Sequence, residues 1–227
     1  MDEVMTLPNV AQMGALIGDP VRAAMLGVLM DGSMRPAGEL AALCGASPQA
    51  ASAHLARLLD GGLLAVSRQG RHRYYQLRDA DVAYAIETLS VAADFAPRRR
   101  RRVDPALQRA RRCYDHIAGA LGVMICDALV ARGEIVAGGD GYAISRCGNA
   151  WLMRHGLVPP ESRKPLARPC LDWTERRPHV AGWLGGAIYR MLETNGGLRR
   201  DPRSRALRVT PRGRAALKSC LGIDWEG

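Results

Sequence analysis

Four side chains have types and spacing that suggest chemistry: Cys113, His116, Cys170 and His179. They recur in order. CYDHIAGALG begins at Cys113 and CLDWTERRPHVAGWLGG at Cys170, each giving Cys-x-Asp, a His, an apolar residue and Ala-Gly-x-Leu-Gly. Two thiols and two imidazoles suit tetrahedral Zn²⁺ or a softer, thiophilic metal or metalloid, provided the two segments converge. Three other readings stand beside this one. Duplicated units inherit the same buried Cys and capping Asp with no ligand at all. The thiols also sit among cations, Arg109, Arg111 and Arg112 near Cys113 and Arg168, Arg176 and Arg177 near Cys170, an arrangement that lowers a thiol pKa for redox or electrophile sensing. Trp151, Trp173 and Trp183 offer walls for an organic ligand, although Trp is more often core. Cys126, Cys147 and Cys220 read as core.

The elements that must position these groups follow from periodicity. Cys113 and His116, three apart, would share one helical face, and Pro178 would open a long helix with His179 in its first turn. Each long helix ends at Gly and leads to a hairpin, Glu134–Ile144 (turn Gly138–Gly141) and Leu198–Val209 (turn Asp201–Ser204), then to a helix capped by Ser145 or Thr210-Pro211. Residues 105–227 thus read as an α-rich domain of two helix–hairpin–helix repeats, about 105–160 and 161–227, packed about a pseudo-twofold axis. Gly119 and Gly122, like Gly182 and Gly185, lie near one helix face and point to a tight helix crossing.

The N-terminal part reads differently. PAGELAALCGASPQAASAHLARLLDGGLLAVSRQGRHRYYQL, from Pro36 to Leu77, gives a short helix ended by Gly45, a turn, and a second helix capped by Ser47 with Pro48 at its first position. Ala51, Leu55, Leu58 and Leu59 make its buried stripe. Two strands joined at Gln69-Gly70 follow. That order places a recognition helix in a DNA major groove and a basic wing beside the phosphates. Gln49, Ser52 and His54 would read base edges, and Arg57, Arg68, Arg71 and Arg73 would hold the backbone.

The segments DPVRAAMLGVLMDG, SPQAASAHLARLLDGGLL and RQGRHRYYQL resemble the arsenic-repressor (ArsR/SmtB) family of winged-helix regulators, over residues 6 to about 94. The resemblance implies a homodimer that represses from a palindromic double-stranded operator until an effector binds. It also implies dimer helices at Val10–Ile17 and Asp79–Phe95. The family's metal sites do not carry over. Cys44 stands alone where a Cys-x-Cys pair is expected, and residues 79–95 contain no His beside Asp79 and Asp81. Asp79 reads as a helix cap.

The fold class expected is therefore mainly α with small β-hairpins. A winged helix-turn-helix spans 1–96, an Arg-rich linker 97–104, and a sensor domain of unknown effector 105–227. Charge divides the same way. Residues 1–96 hold 7 Arg against 10 acids, and residues 97–227 hold 25 Lys+Arg against 12 acids. The run Arg98–Arg102 is a solvated spacer or an added phosphate contact. No apolar run is long enough to span a bilayer, and the N-terminus lacks a signal-peptide pattern, so a cytoplasmic protein with no membrane partner and reduced cysteines is expected. No phosphate-binding or dinucleotide loop is present, and the protein is expected not to be an enzyme. The rival class is a thiol-dependent enzyme with Cys113 or Cys170 as nucleophile and a nearby His as base. A third option is an architectural DNA-binding protein that answers to no ligand.

Overall fold

The computed structural model describes residues 10–69, 72–93, 103–139, 141–162, 164–202 and 204–226. By packing the chain divides into two compact units, Met1–Val82 and Ala83–Gly227. The expected boundary at residue 96 and most of the linker 97–104 lie outside the described residues.

The first unit holds α1 (Val10–Ile17), α2 (Pro20–Leu29), β1 (Arg35–Pro36), α3 (Ala37–Cys44), α4 (Pro48–Asp60), β2 (Leu64–Gln69), β3 (His72–Leu77) and the start of α5 (Ala80–Ala93). Its caps are the local chemistry that the sequence dictates. Asp19 accepts from the N–H groups of Val21 and Arg22, Ser47 from that of Ala50, and Asp79 from that of Val82. Gly45 ends α3 in the left-handed conformation, with φ of 65°. Leu26, Leu29, Leu40, Ala51, Leu55, Leu58 and Leu77 fill the core. Arg22, buried, donates to the carbonyls of Ala15 and Leu16, closing the last turn of α1 onto α2. β2 and β3 form the wing, with Gln69 opposite His72. The short β1 adds a third strand by pairing Arg35 with Tyr75, in the order β1-β3-β2.

The second unit continues with α6 (Pro105–Arg109), β4 (Arg111–Cys113), β5 (His116–Ala118), α7 (Ala120–Ala131), β6 (Ile135–Gly138), β7 (Gly141–Ile144), α8 (Arg146–Arg154), β8 (Arg168–Leu171), β9 (Pro178–Ala181), α9 (Gly182–Thr194), β10 (Leu198–Arg200), β11 (Leu207–Val209) and α10 (Pro211–Leu221). The order hairpin, helix, hairpin, helix therefore runs twice. The hairpins after α7 and α9 and the Ser145 and Thr210 caps lie where the sequence placed them.

The hairpins before α7 and α9 were not expected, and they correct the helical placement of the Cys and His residues. Cys113 and His116 are cross-strand partners, not neighbours on a helix face, and His179 lies in a strand rather than a first helical turn. Backbone conformation explains the difference. Tyr114 is left-handed at φ 58° and closes a two-residue turn. Gly119 and Gly182, both at φ 77°, forbid any helix from starting earlier. The expected helix crossing at the glycines is corrected too. A Cβ on Gly122 would meet the Ile117 carbonyl oxygen at 2.4 Å and His179 Cβ at 3.3 Å; one on Gly185 would meet the Val180 carbonyl oxygen at 2.1 Å and His116 Cβ at 3.0 Å. Each helix approaches the hairpins, and each glycine sits against the histidine of the other half.

Two bridges knit these halves together. Arg111 pairs with Ala206 beside β11, and Tyr142 of β7 pairs with Ala167 beside β8. Ile117, Leu121, Ile125, Val180, Leu184 and Ile188 belong to the shared core.

Candidate nucleic-acid interface and metal centre

On α4 the apolar stripe turns inward and leaves Gln49, Ser52 and Arg57 exposed. Ser52 donates to the Pro48 carbonyl at 2.9 Å, which leaves its oxygen able to accept. His54 is half-buried, with Nδ1 3.4 Å from Arg22 Nη1 and 3.7 Å from Asp19 Oδ1, so that edge of the ring faces α2. Arg68 and Arg73 are cross-strand partners on the wing and both exposed. Arg71 lies outside the described residues.

The second cluster lies wholly within the C-terminal unit. Each of the two early hairpins holds one Cys opposite one His, and all four are buried. Their ligand atoms all lie within 4.8 Å of one another. His116 Nε2 stands 3.1 Å from His179 Nε2. On the far side of each ring is a carboxylate: Asp115 Oδ1 lies 2.9 Å from His116 Nδ1, and Asp172 Oδ2 3.4 Å from His179 Nδ1. Asp172 is itself tightly held. It accepts from the Gly119 N–H at 2.6 Å and from Thr174 N–H and hydroxyl at 2.9 and 2.7 Å. Burial opposes its charge, yet Arg111 and these donors keep its carboxyl far below the usual range. Arg111, fully buried, bonds Asp172 Oδ2 at 3.0 Å and Glu87 Oε1 of α5 at 2.9 Å, with its guanidinium carbon 5.0 Å from the Trp173 ring centre.

At Cys113 the electrostatics run against the expectation of an activated thiol. The hydrogen bond with Cys170 and burial push the Cys113 thiol well above 9.0. Three of the six cations counted beside these thiols are engaged with other groups. Arg111 is committed to its carboxylates, Arg112 lies over Tyr189 at 4.7 Å, and Arg177 pairs with Asp127 at 2.8 Å. A buried thiol held in its neutral form is the opposite of what a nucleophile needs. Burial works against charge on His116, but the Cys113 sulfur and Asp115 push it up to about 10. Burial and the charge on His116 hold His179 well below 6.5, so the pair carries one proton charge between them.

The tryptophans serve separate places. Trp151 is core and donates to the Cys220 carbonyl, Trp173 backs Arg111, and Trp183 lines a cleft with Leu157 and Met191. Cys147 is exposed, not core, because α8 turns Trp151 and Leu152 inward instead. Sequence reasoning missed Asp115, Asp172, Arg111 and Glu87 as supports. The repeated Cys-x-Asp was the available signal for the first two.

A family model described as a helix-turn-helix domain matches residues 17–67. The HTH-type transcriptional regulator YdfF of Bacillus subtilis is 39% identical over 223 residues, covering 95% of this chain and 98% of its own. The chain belongs to the HTH-type transcriptional regulators. The regulator is also similar to CmtR of Mycobacterium tuberculosis, 37% identical over 79 residues, or 35% of this chain and 66% of that one. Among solved structures it is similar to the homodimeric winged helix-turn-helix domain of a possible ArsR-family regulator from Mycobacterium bovis. The identity is 28%, the coverage 42% of this chain and 87% of that one, and the TM-score 0.37. Among the described residues no helix is long and apolar enough to cross a membrane.

Proposed function

We propose that this regulator is a repressor that binds a palindromic operator as a homodimer and is released by an effector sensed in its C-terminal unit. The observation that carries the DNA reading is the outward polar face of α4, Gln49 and Ser52, beside the exposed pair Arg68 and Arg73 on the wing. Gln49 and Ser52 offer donors and acceptors to base edges, and the arginines hold phosphates with Arg57 and Arg71. His54 belongs to the same recognition set through whatever ring edge its contacts with α2 leave open.

Dimerisation is supported by the apolar surface of α1 and α5, the helices that the family resemblance assigns to the interface. Val10, Met13, Tyr84 and Leu89 are all exposed in the single chain. A dimer must hold its recognition helices about 34 Å apart to meet successive major grooves. Sensing is supported by the buried ion pair Arg111–Glu87, through which hairpin β4–β5 grips α5. A change at the hairpins therefore reaches a helix of the proposed interface, and a coupling of about 1–3 kcal/mol is enough to shift operator occupancy.

The test is operator binding by fluorescence anisotropy, with the full chain on its own promoter and on random duplex at moderate salt. A clear preference for the promoter is expected. Equal binding to both would remove the reading, and promoter binding that no added ligand disturbs would leave an architectural protein in its place.

A further inference from the structure

We propose that Cys113 Sγ, His116 Nε2, Cys170 Sγ and His179 Nε2 form a four-coordinate centre for a divalent ion of the zinc class. The donor atoms already lie within 4.8 Å of one another, and their side chains are buried. Zn–N bonds near 2.0–2.1 Å at tetrahedral angles put two imidazole nitrogens about 3.3 Å apart, and here they stand at 3.1 Å.

Ring orientation gives a second geometric argument. A carboxylate flanks Nδ1 of each ring, at 2.9 Å for His116 and 3.4 Å for His179, which turns both Nε2 atoms toward the cluster. The two Nε2 atoms stand face to face at 3.1 Å beside two sulfurs, so a cation can take the place of the single proton between them. His179 Nδ1 makes no hydrogen bond in this arrangement, although its side chain is completely buried. A ring drawn slightly by a metal on its far side remains oriented by Asp172 in the carboxylate–histidine–metal manner.

Charge balance points to the same class of ion. Two thiolates, two neutral imidazoles and one divalent cation sum to zero, so the loaded site adds no net charge to a buried region. Uptake is a ligand exchange without redox change. The hydrated ion gives up its waters, the two thiols and the His116 imidazolium release their protons to solvent, and two metal–sulfur and two metal–nitrogen bonds form. With all four positions filled by protein there is no open site for catalysis. The ion instead clamps hairpin β4–β5 to hairpin β8–β9. The site uses neither Cys44 nor α5 carboxylates as ligands, so it is distinct from the family positions that this sequence lacks.

The test uses the full chain, isolated under reducing conditions and analysed for metal by mass spectrometry, then stripped with chelator and titrated with Co²⁺. We expect one ion per chain as isolated. The cobalt titration should saturate at one equivalent, with thiolate-to-cobalt charge transfer and the intense visible bands of tetrahedral cobalt. Cys113→Ser with Cys170→Ser should abolish the charge transfer, His179→Ala should abolish the tetrahedral bands, and Cys44→Ser should leave both intact. Because a cluster variant that unfolds is uninformative, the stripped wild-type chain, shown folded by circular dichroism, decides alone. No tetrahedral bands from that protein, bands that persist in the double serine variant, or a Cys113–Cys170 disulfide in the isolated chain would each overturn the centre. The proposal does not rest on the DNA reading: a chain that takes up the ion and ignores its promoter would keep this site and lose that function.

Discussion

At the residue scale, single groups carry separable duties. Asp31 is buried and accepts from the Ser33 N–H at 2.8 Å and from Arg35 Nη2 at 2.8 Å, which fixes the entry to β1. Burial opposes its charge, but Ser33 and Arg35 hold its carboxyl below the usual 3.8. Since the folded pKa is depressed, the stability it contributes is present above about pH 3.8 and is lost as pH falls through the folded value. Asp31→Asn should therefore cost about 1–3 kcal/mol at pH 7, with the gap to wild type closing as the pH falls below 3.8; urea unfolding at pH 7 and pH 3 checks this, and equal gaps at both would sink it. On the DNA face, Gln49→Ala should relax preference at one operator position, by about 1–3 kcal/mol. Arg68→Ala should weaken binding to all sequences alike and flatten its salt slope by about one unit. Anisotropy titrations over a set of operator variants and salt concentrations separate these two behaviours.

At the scale of elements, much was legible and one class of element was not. The helices of the N-terminal unit announce themselves by cap and stripe: Ser47-Pro48 opens α4, and of the stripe read from spacing Ala51, Leu55 and Leu58 are buried while Leu59 is half-buried. The four chemical residues were legible as a set because the pattern repeats. Their placement was not, because a three-residue strand has too few positions to show alternation and Cys113-x-x-His116 fits a helix equally well. The residue that decides is Gly119, whose φ of 77° no sequence period reports. The supports were hidden for another reason. Glu87 sits beside Thr88 and Ser90 in α5 with nothing local to mark it, and its partner Arg111 is 24 positions away.

Two further predictions belong at this scale. Gly122→Ala and Gly185→Ala should each destabilise by about 1–3 kcal/mol, because their new Cβ atoms would press on the carbonyl oxygens of Ile117 and Val180. Gly27→Ala on α2, with nothing within 4 Å of its Cβ, should stabilise by about 0.5–1 kcal/mol. Chemical denaturation of the three variants tests the contrast in sign. Glu87→Gln should leave metal uptake unchanged while reducing the effect of metal on operator affinity; undiminished coupling would show that the Arg111–Glu87 pair is not the route.

At the scale of the whole molecule, the exposed apolar faces of α1 and α5 predict the oligomeric state. Met13→Lys with Leu89→Lys should convert a dimer into a monomer by sedimentation velocity and lower operator affinity, since half-sites bound singly lose the benefit of linkage. A wild-type chain that sediments as a monomer at micromolar concentration would defeat this.

The bridges Arg111–Ala206 and Tyr142–Ala167 carry a consequence for how this protein can be cut. The stretch from Val158 to Ser162 is exposed and belongs to no helix or strand, so a glutamate-specific protease has Glu161 within reach. Yet β4 and β7, before the cut, are bridged to Ala206 and Ala167 after it, and the two sides share one buried core. A chain severed there should migrate as a single particle in native gels and part into two fragments only in denaturant. Neither fragment, expressed by itself, would have the surface of its missing neighbour to fold against, so co-expression should rescue what separate expression cannot.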